Sequence, residues 1–192
     1  MKTILKTSKW FMPMTISLGM MIVSMGCEDE NFDNIPVDFE FRLINEQGNT
    51  SVNFSEGNNF WFSFLVINNS DKELFFQSIN NIDTFFEVFK LGDDESPSEP
   101  ISYGKPYKAV FCEYLLSGYK IQSKDSLEIK VAWVPKGVEQ ESYPILCNFN
   151  FDNEPLPAGN YRTSFISSFN FSYKGKSIKI EEKSFNITFK IK

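Results

Sequence analysis

YRTSFISSFNFSYKGKSIKIEEKSFNITFKI, residues 161–191, is the stretch that decides the fold. Its aromatic and aliphatic side chains recur at every second position, which is the period of a β-strand with one buried face. Lys174-Gly175 interrupts the alternation and predicts a tight turn between two long antiparallel strands. The apolar positions change parity between Ile180 and Phe185, so we expect a β-bulge or bend near Glu181–Lys183.

Strand-like patterns also fill the chain before this hairpin. Residues 37–43 alternate between apolar and charged side chains, and residues 60–67 are apolar on both faces, which predicts a central strand. After a turn at residues 68–71, we interpret residues 73–78 as the partner of that strand. Further strands are predicted at residues 85–91, 109–116, 126–134 and 144–151, and a surface loop at the proline- and glycine-rich residues 92–107.

The predicted fold class is therefore all-β. No stretch beyond residue 36 has a helical period, and about eight to ten strands with short turns are typical of an antiparallel β-sandwich. Hydrophobic residues make up 42% of the chain and charged residues 23%, as in a folded globular domain. We predict a single domain over residues 37–192.

The N-terminal residues are organised like a cleaved signal peptide. Residues 1–9 carry three lysines, residues 10–23 carry no charge, and small residues then precede Cys27. The uncharged run is too short to span a bilayer comfortably. We predict that residues 1–26 are removed and that the polar residues 27–36 form a tether.

This arrangement resembles the signal peptides of bacterial lipoproteins, in which a small residue precedes an invariant cysteine. Gly26 and Cys27 match that pattern, whereas Ser24 stands where those proteins usually carry Leu or Val. The resemblance implies that the thiol of Cys27 is alkylated by a diacylglycerol and anchors the mature protein in a membrane.

The acidic triplet Glu28, Asp29 and Glu30 follows the anchor cysteine directly. It resembles the export signal of Bacteroidota-type lipoproteins, which implies an address at the external surface of the outer membrane. A solvated acidic linker, facing either the periplasm or the exterior, is the alternative.

Charge and composition exclude several functions. The formal charge is −6, and because the leader contributes three lysines and no acid, the remainder is near −9. A negative domain repels phosphate, so we expect no nucleic-acid partner. The chain has no histidine, which excludes Ser-His-Asp and Cys-His catalysis within it and removes the commonest zinc ligand. We predict that it is not an enzyme and carries no metal or cofactor.

Two carboxylate clusters, Asp93-Asp94-Glu95 and Asp152-Asn153-Glu154, lie in predicted loops. Oxygen-rich loops can bind calcium, and paired carboxylates can hydrolyse glycosides. Neither cluster has the spacing and glycine of a known calcium loop, so we favour solvated loop charges.

Cys112 and Cys147 are the cysteines that remain beyond the anchor. An exported chain meets oxidising conditions, so the pair predicts a disulfide; two buried thiols are the alternative.

Exposed aromatic side chains are the better candidates for ligand contact, because rings stack on the apolar faces of sugars. Tyr103 and Tyr107 lie in or beside the predicted loop, where binding residues concentrate. Trp61 and Trp133 lie in dense strands, so we assign them to the core. Asp125-Ser126-Leu127 resembles the O-glycosylation motif of Bacteroidota-type exported proteins, which implies Ser126 as an acceptor.

The segments FSFLVINNSDKEL, FEVFKL and LPAGNYRTSF resemble bacterial immunoglobulin-like domains, in which a Pro-Gly-x-Tyr segment (here Pro157, Gly159 and Tyr161) enters one of the last strands. Together with the leader, this resembles a small Bacteroidota-type outer-membrane lipoprotein. We expect a lipid-anchored surface protein that binds a glycan, a host protein or an assembly partner without catalysis. The alternatives are a structural subunit of a surface fibre or uptake complex, with residues 184–191 as an edge or displaceable strand, and a carboxylate-dependent glycoside hydrolase.

Overall fold

The computed structural model describes residues 36–79, 84–92, 100–109, 118–138 and 147–192. No α-helix occurs in these ranges, and therefore none that is long and apolar enough to cross a membrane. The strands are β1 Val37–Ile44, β2 Asn53–Phe54, β3 Trp61–Asn68, β4 Leu74–Ile79, β5 Val88–Lys90, β6 Ile101–Gly104, β7 Tyr107–Ala109, β8 Tyr119–Ile121, β9 Ser126–Ala132, β10 Cys147–Phe149, β11 Gly159–Tyr173 and β12 Lys176–Ile191.

The predicted hairpin is the longest element of the fold. β11 and β12 pair antiparallel over their whole length. Lys174 and Gly175 both have positive φ, at 47° and 76°, which is the backbone of the two-residue turn that suits strand twist. The register shifts where Ser167 pairs with Lys183 and Phe169 pairs with Ile180, so β12 carries one extra residue there. The expected bulge near Glu181–Lys183 is confirmed.

The smaller main sheet has the order β1-β3-β9, with both neighbours antiparallel to β3. The prediction that residues 60–67 form a central strand is confirmed, since Phe62, Phe64 and Val66 are fully buried on one face. Its other face carries Ser63, whose hydroxyl meets Arg42 and Glu128.

The interpretation of residues 73–78 as the partner of that strand is wrong. β4 belongs to the other sheet, where it pairs with β11 and β8. The chain changes sheet at Asn68, whose buried amide nitrogen donates to the carbonyl oxygens of Lys72, Ile121 and Gln122 at 2.7, 3.1 and 2.9 Å. These bonds hold the β3–β4 and β8–β9 connections together, so a crossing replaces the hairpin.

The larger sheet is built around the hairpin. On one side of β11, β5 pairs with its first third and β4 with its last third, and β6 and β8 extend these outward. On the other side lies β12, which pairs with β2 only at Lys190 and Ile191. That last pairing is parallel, an exception to the predicted antiparallel arrangement.

The two sheets pack face to face through aromatic rings, as the alternation predicted. Phe39 and Phe64 of the smaller sheet contact Phe169 of the larger one, with ring centroids 4.3 and 5.6 Å apart. Phe165 stacks on Phe185 within the larger sheet at 4.9 Å. A buried phenylalanine contributes about 1.5–3 kcal/mol through removal of its surface from water, so this layer accounts for the phenylalanine-rich composition.

Other segments also differ from their predictions. The strand predicted at residues 85–91 is shorter, because Phe85 and Phe86 turn into the core and Phe86 has a φ of 62°. Within the predicted loop, residues 101–104 form β6, since β5 offers them a free edge; residues 93–99 lie outside the described ranges.

Candidate functional site

An open groove lies on the outer face of the larger sheet, and strand pairing explains its position. β11 pairs with β5 as far as Thr163 and with β4 from Phe169 onward. Between Thr163 and Phe169, neither β5 nor β4 pairs with β11. The groove therefore forms where the sheet is split, with a volume of about 760 Å³.

The side chains that line the groove stand in rows across the strands. One row contains Arg162 of β11, with Thr188 of β12 and Phe89 of β5 on either side. The next row pairs Ser164 with Asn186, and the backbone nitrogen of Ser164 donates to the carbonyl of Glu87 at 3.4 Å. A third row pairs Ile166 with Ser184. The described residues that line it are Thr84, Glu87, Phe89, Arg162, Ser164, Phe165, Ile166, Ser184 and Asn186.

Arg162 is the cation among the described residues that line the groove. Its guanidinium lies over the ring of Phe89, 5.7 Å from the centroid, which favours one orientation of the long side chain. Among the described residues, its buried Nε has no hydrogen-bond partner and the guanidinium forms no ion pair with a carboxylate. The two terminal nitrogens of the guanidinium, unlike the Nε, are reached by solvent, so an anionic ligand could pair with them.

Glu87 provides the negative charge of the groove. Its carboxylate accepts a hydrogen bond from the hydroxyl of Ser102 at 2.7 Å, which holds it at the β5–β6 edge. Ile166 is 51% exposed on the same face. Hydroxyl, amide, carboxylate and guanidinium groups thus stand around one apolar patch, an arrangement suited to a ligand with both polar and apolar faces.

Tyr103 lies on β6 with its side chain 37% exposed, and it is not among the residues that line the groove. Its ring meets Tyr161, which has the inward parity of β11, edge to face at 5.6 Å. Burial raises the pKa of Tyr161 to about 12, with smaller contributions from Tyr103 and Glu56. Tyr103 therefore remains accessible, but it is not part of the site around Arg162.

The expectation that Tyr107 contacts a ligand is wrong. Only 1% of its surface is exposed, and its hydroxyl donates to the carbonyl oxygen of Phe85. Its ring fills the core beneath the turn that begins β5. Trp133 is likewise buried, with its indole nitrogen donating to the carbonyl of Glu154 at 2.9 Å, as predicted for a core residue.

The carboxylate cluster at residues 152–154 is engaged within the domain. Asp152 pairs with Lys108, which lowers the pKa of the Asp152 carboxyl. The amide nitrogen of Asn153 donates to the carbonyls of Lys105 and Trp133. Within the described ranges, no group of three or more acidic, cysteine or histidine side chains is placed to hold a metal ion.

Ser126 is exposed at the start of β9, and its backbone nitrogen donates to the carboxylate of Asp125 at 2.8 Å. The other predicted residues lie where the structure describes no side chain. Residues 1–35, with Cys27 and the triplet Glu28, Asp29 and Glu30, are outside the described ranges, as is Cys112. Cys147 begins β10, with its backbone alone described, so the disulfide stays a prediction.

No family model matches the chain, and no curated protein matches it. Among solved structures, it is similar to the ASH/PapD-like domain of human CEP192 (PapD-like domain 7), at 11% sequence identity and a TM-score of 0.38. The match covers 82% of this chain and 85% of that one. A similarity at this level carries nothing about function.

Sequence reasoning missed the groove. The alternation of residues 161–173 assigns Arg162 and Ser164 to the solvent face, and the structure agrees. The one signal was Arg162 itself, since this strand has no other charged residue before its turn.

Proposed function

We propose that this chain is a lipid-anchored, non-catalytic binding domain that holds its ligand in the groove around Arg162. The observation that carries the proposal is the split in the larger sheet, which leaves an open groove lined by charged, polar and apolar side chains. Sites with a few fixed polar groups around an apolar surface are typical of ligand binding.

The non-catalytic part of the proposal rests on the groups in the groove. Glu87 is the carboxylate among the described lining residues, whereas most glycoside hydrolases use two carboxylates. The groups that line the groove are suited to hydrogen bonding and ion pairing, and we therefore rank binding above hydrolysis.

We assign the domain to an immunoglobulin-like sandwich. Two observations support this finer assignment: two mainly antiparallel sheets face each other across an aromatic core, and a tyrosine near the start of a long strand bonds back to the chain before it. The hydroxyl of Tyr161 donates to the carbonyl of Pro157 at 2.7 Å, like the tyrosine corner of immunoglobulin domains. This bond fixes the Pro157-Gly159-Tyr161 segment as it enters β11.

The test of the groove is a variant that fills it. Ser164→Trp places an indole in the middle row, while Ser172→Trp, eight residues further along β11 with the same parity, is the matched control. Arrays of neutral and acidic glycans and of peptides identify the ligand. We expect Ser164→Trp to lose binding by tenfold or more and Ser172→Trp to retain it. Equal binding by both variants would show that the ligand is not held in the groove.

The anchor is tested separately. We expect Cys27→Ala to abolish palmitate labelling and to release the protein from the membrane fraction, because acyl chains contribute about 0.8 kcal/mol per buried methylene. Neutralising Glu28, Asp29 and Glu30 together should leave lipidation intact and reduce cleavage by protease added to whole cells. Unchanged fractionation of Cys27→Ala contradicts the anchor, and unchanged cleavage contradicts the surface address.

A structural subunit is the second candidate, and it rests on the outer edge of β12. Within the described ranges, no strand pairs with that edge between Lys176 and Phe189. An open edge can accept a strand from another molecule. The bulge and the charges at Glu181–Lys183 interrupt it, and the burial of Phe189 and Ile191 argues against displacement of the strand. Concentration-dependent oligomers resistant to mild detergent are the result expected of this candidate.

A further inference from the structure

We infer that the ligand of the groove is an acidic saccharide whose carboxylate pairs with the guanidinium of Arg162. The inference rests on the proposed binding function and adds a chemical class to it.

The charge of the ligand follows from Arg162. The guanidinium is oriented by the ring of Phe89 and forms no ion pair among the described residues. An arginine fork matches the two oxygens of a carboxylate, and prior orientation on an aromatic face reduces the entropy lost on binding. A single carboxylate is the group that this cation fits.

The rest of the groove selects for hydroxyl groups. Ser164 and Asn186 stand opposite each other in the middle row, and Ser184 stands beside Ile166 in the next. Hydroxyl and amide side chains both donate and accept, as sugar hydroxyls do. The exposed side chain of Ile166 offers an apolar surface for the carbon–hydrogen face of a sugar ring.

The negative charges restrict how anionic the ligand is. Glu87 lines the same groove, held by Ser102, and the domain as a whole is acidic. Repulsion from these charges disfavours nucleic acids and polysulfated chains. Glu87 is also placed to accept hydrogen bonds from hydroxyls, which suits a saccharide with isolated carboxylates rather than a run of acidic side chains.

The test compares a hexuronic-acid trisaccharide with its methyl ester, which has the same shape and no charge. The full chain is titrated with each saccharide by calorimetry, as wild type and as Arg162→Gln. Arg42 is the other arginine of the chain, paired with Glu40 and Glu128 on the outer face of the smaller sheet, so Arg42→Gln is the matched control. We expect wild type and the control to prefer the acid by about tenfold to a hundredfold, and Arg162→Gln to bind both alike.

Three other outcomes would each contradict part of the inference. Equal binding of acid and ester by wild type, blocked by Ser164→Trp, overturns the acidic class and leaves the binding function standing. An acidic peptide that binds in the groove where neither saccharide does overturns the saccharide class. If Arg162→Gln still prefers the acid, Arg162 does not recognise the carboxylate. Thermal unfolding checks that each variant is folded.

Discussion

Replacing Asn68 by alanine tests whether one buried amide holds the point where the chain changes sheet. The side chain is 0% exposed and donates to three carbonyl oxygens, and its own oxygen accepts from the backbone nitrogen and the hydroxyl of Ser70. Each donated bond contributes about 1 kcal/mol net. The amide has two hydrogens, so two of the three carbonyls share one of them. The two donated bonds and the bond accepted from the backbone nitrogen of Ser70 together give a loss of about 3 kcal/mol in the free energy of unfolding, which is about 6–12 °C in Tm for a domain of this size.

Urea unfolding followed by tryptophan fluorescence measures this loss, because Trp133 is buried against Phe60 and changes environment when the core opens. The neighbouring Asn69→Ala is the matched control. Its amide makes one exposed bond to the carboxylate of Asp38 at 2.7 Å, so we expect a loss below about 1 kcal/mol. A loss below 1 kcal/mol for Asn68→Ala, or equal losses for the two variants, would refute the reasoning.

Two further predictions concern the hairpin. Tyr161→Phe removes the bond to Pro157 and should cost about 1 kcal/mol of unfolding free energy. The pKa of Tyr161 is raised from 10.0 to about 12. The stability linked to the neutral phenol is therefore complete below pH 10 and lost as pH rises toward 12. A pH-independent difference between wild type and Tyr161→Phe from pH 9 to 12 would contradict that linkage. Deleting Glu182 removes the extra residue of the bulge and should cost less than about 1 kcal/mol of unfolding free energy. Deleting Asn186 shifts the residues on one side of it by one position, so that their buried side chains turn to solvent, and should cost several kcal/mol. Equal losses in urea unfolding would count against the observed register.

The local features of the fold could be predicted from sequence. The buried parity of residues 161–171, the turn at Lys174-Gly175 and the bulge at Glu181–Lys183 all follow from the period of side chains along one strand. That period is a property of adjacent residues, so it needs no knowledge of distant ones.

Features that depend on distant pairing could not be predicted. Residues 74–79 leave their neighbour for the other sheet because Asn68 and the β8–β9 connection hold the crossing, and these are 53 or more residues apart along the chain. Ile101–Gly104 becomes a strand because β5 presents an edge to it. The groove has the same origin, since it forms only when β4 and β5 pair with different parts of β11.

The pairing of distant strands also determines when the domain can fold. The smaller sheet needs β1, β3 and β9, and the facing layer needs Phe165, Phe185 and Phe189 from the last two strands. Pairings between such distant segments fold slowly because the intervening loops must close first. During synthesis from the N-terminus, the domain therefore has no complete core until β12, the last strand, has emerged.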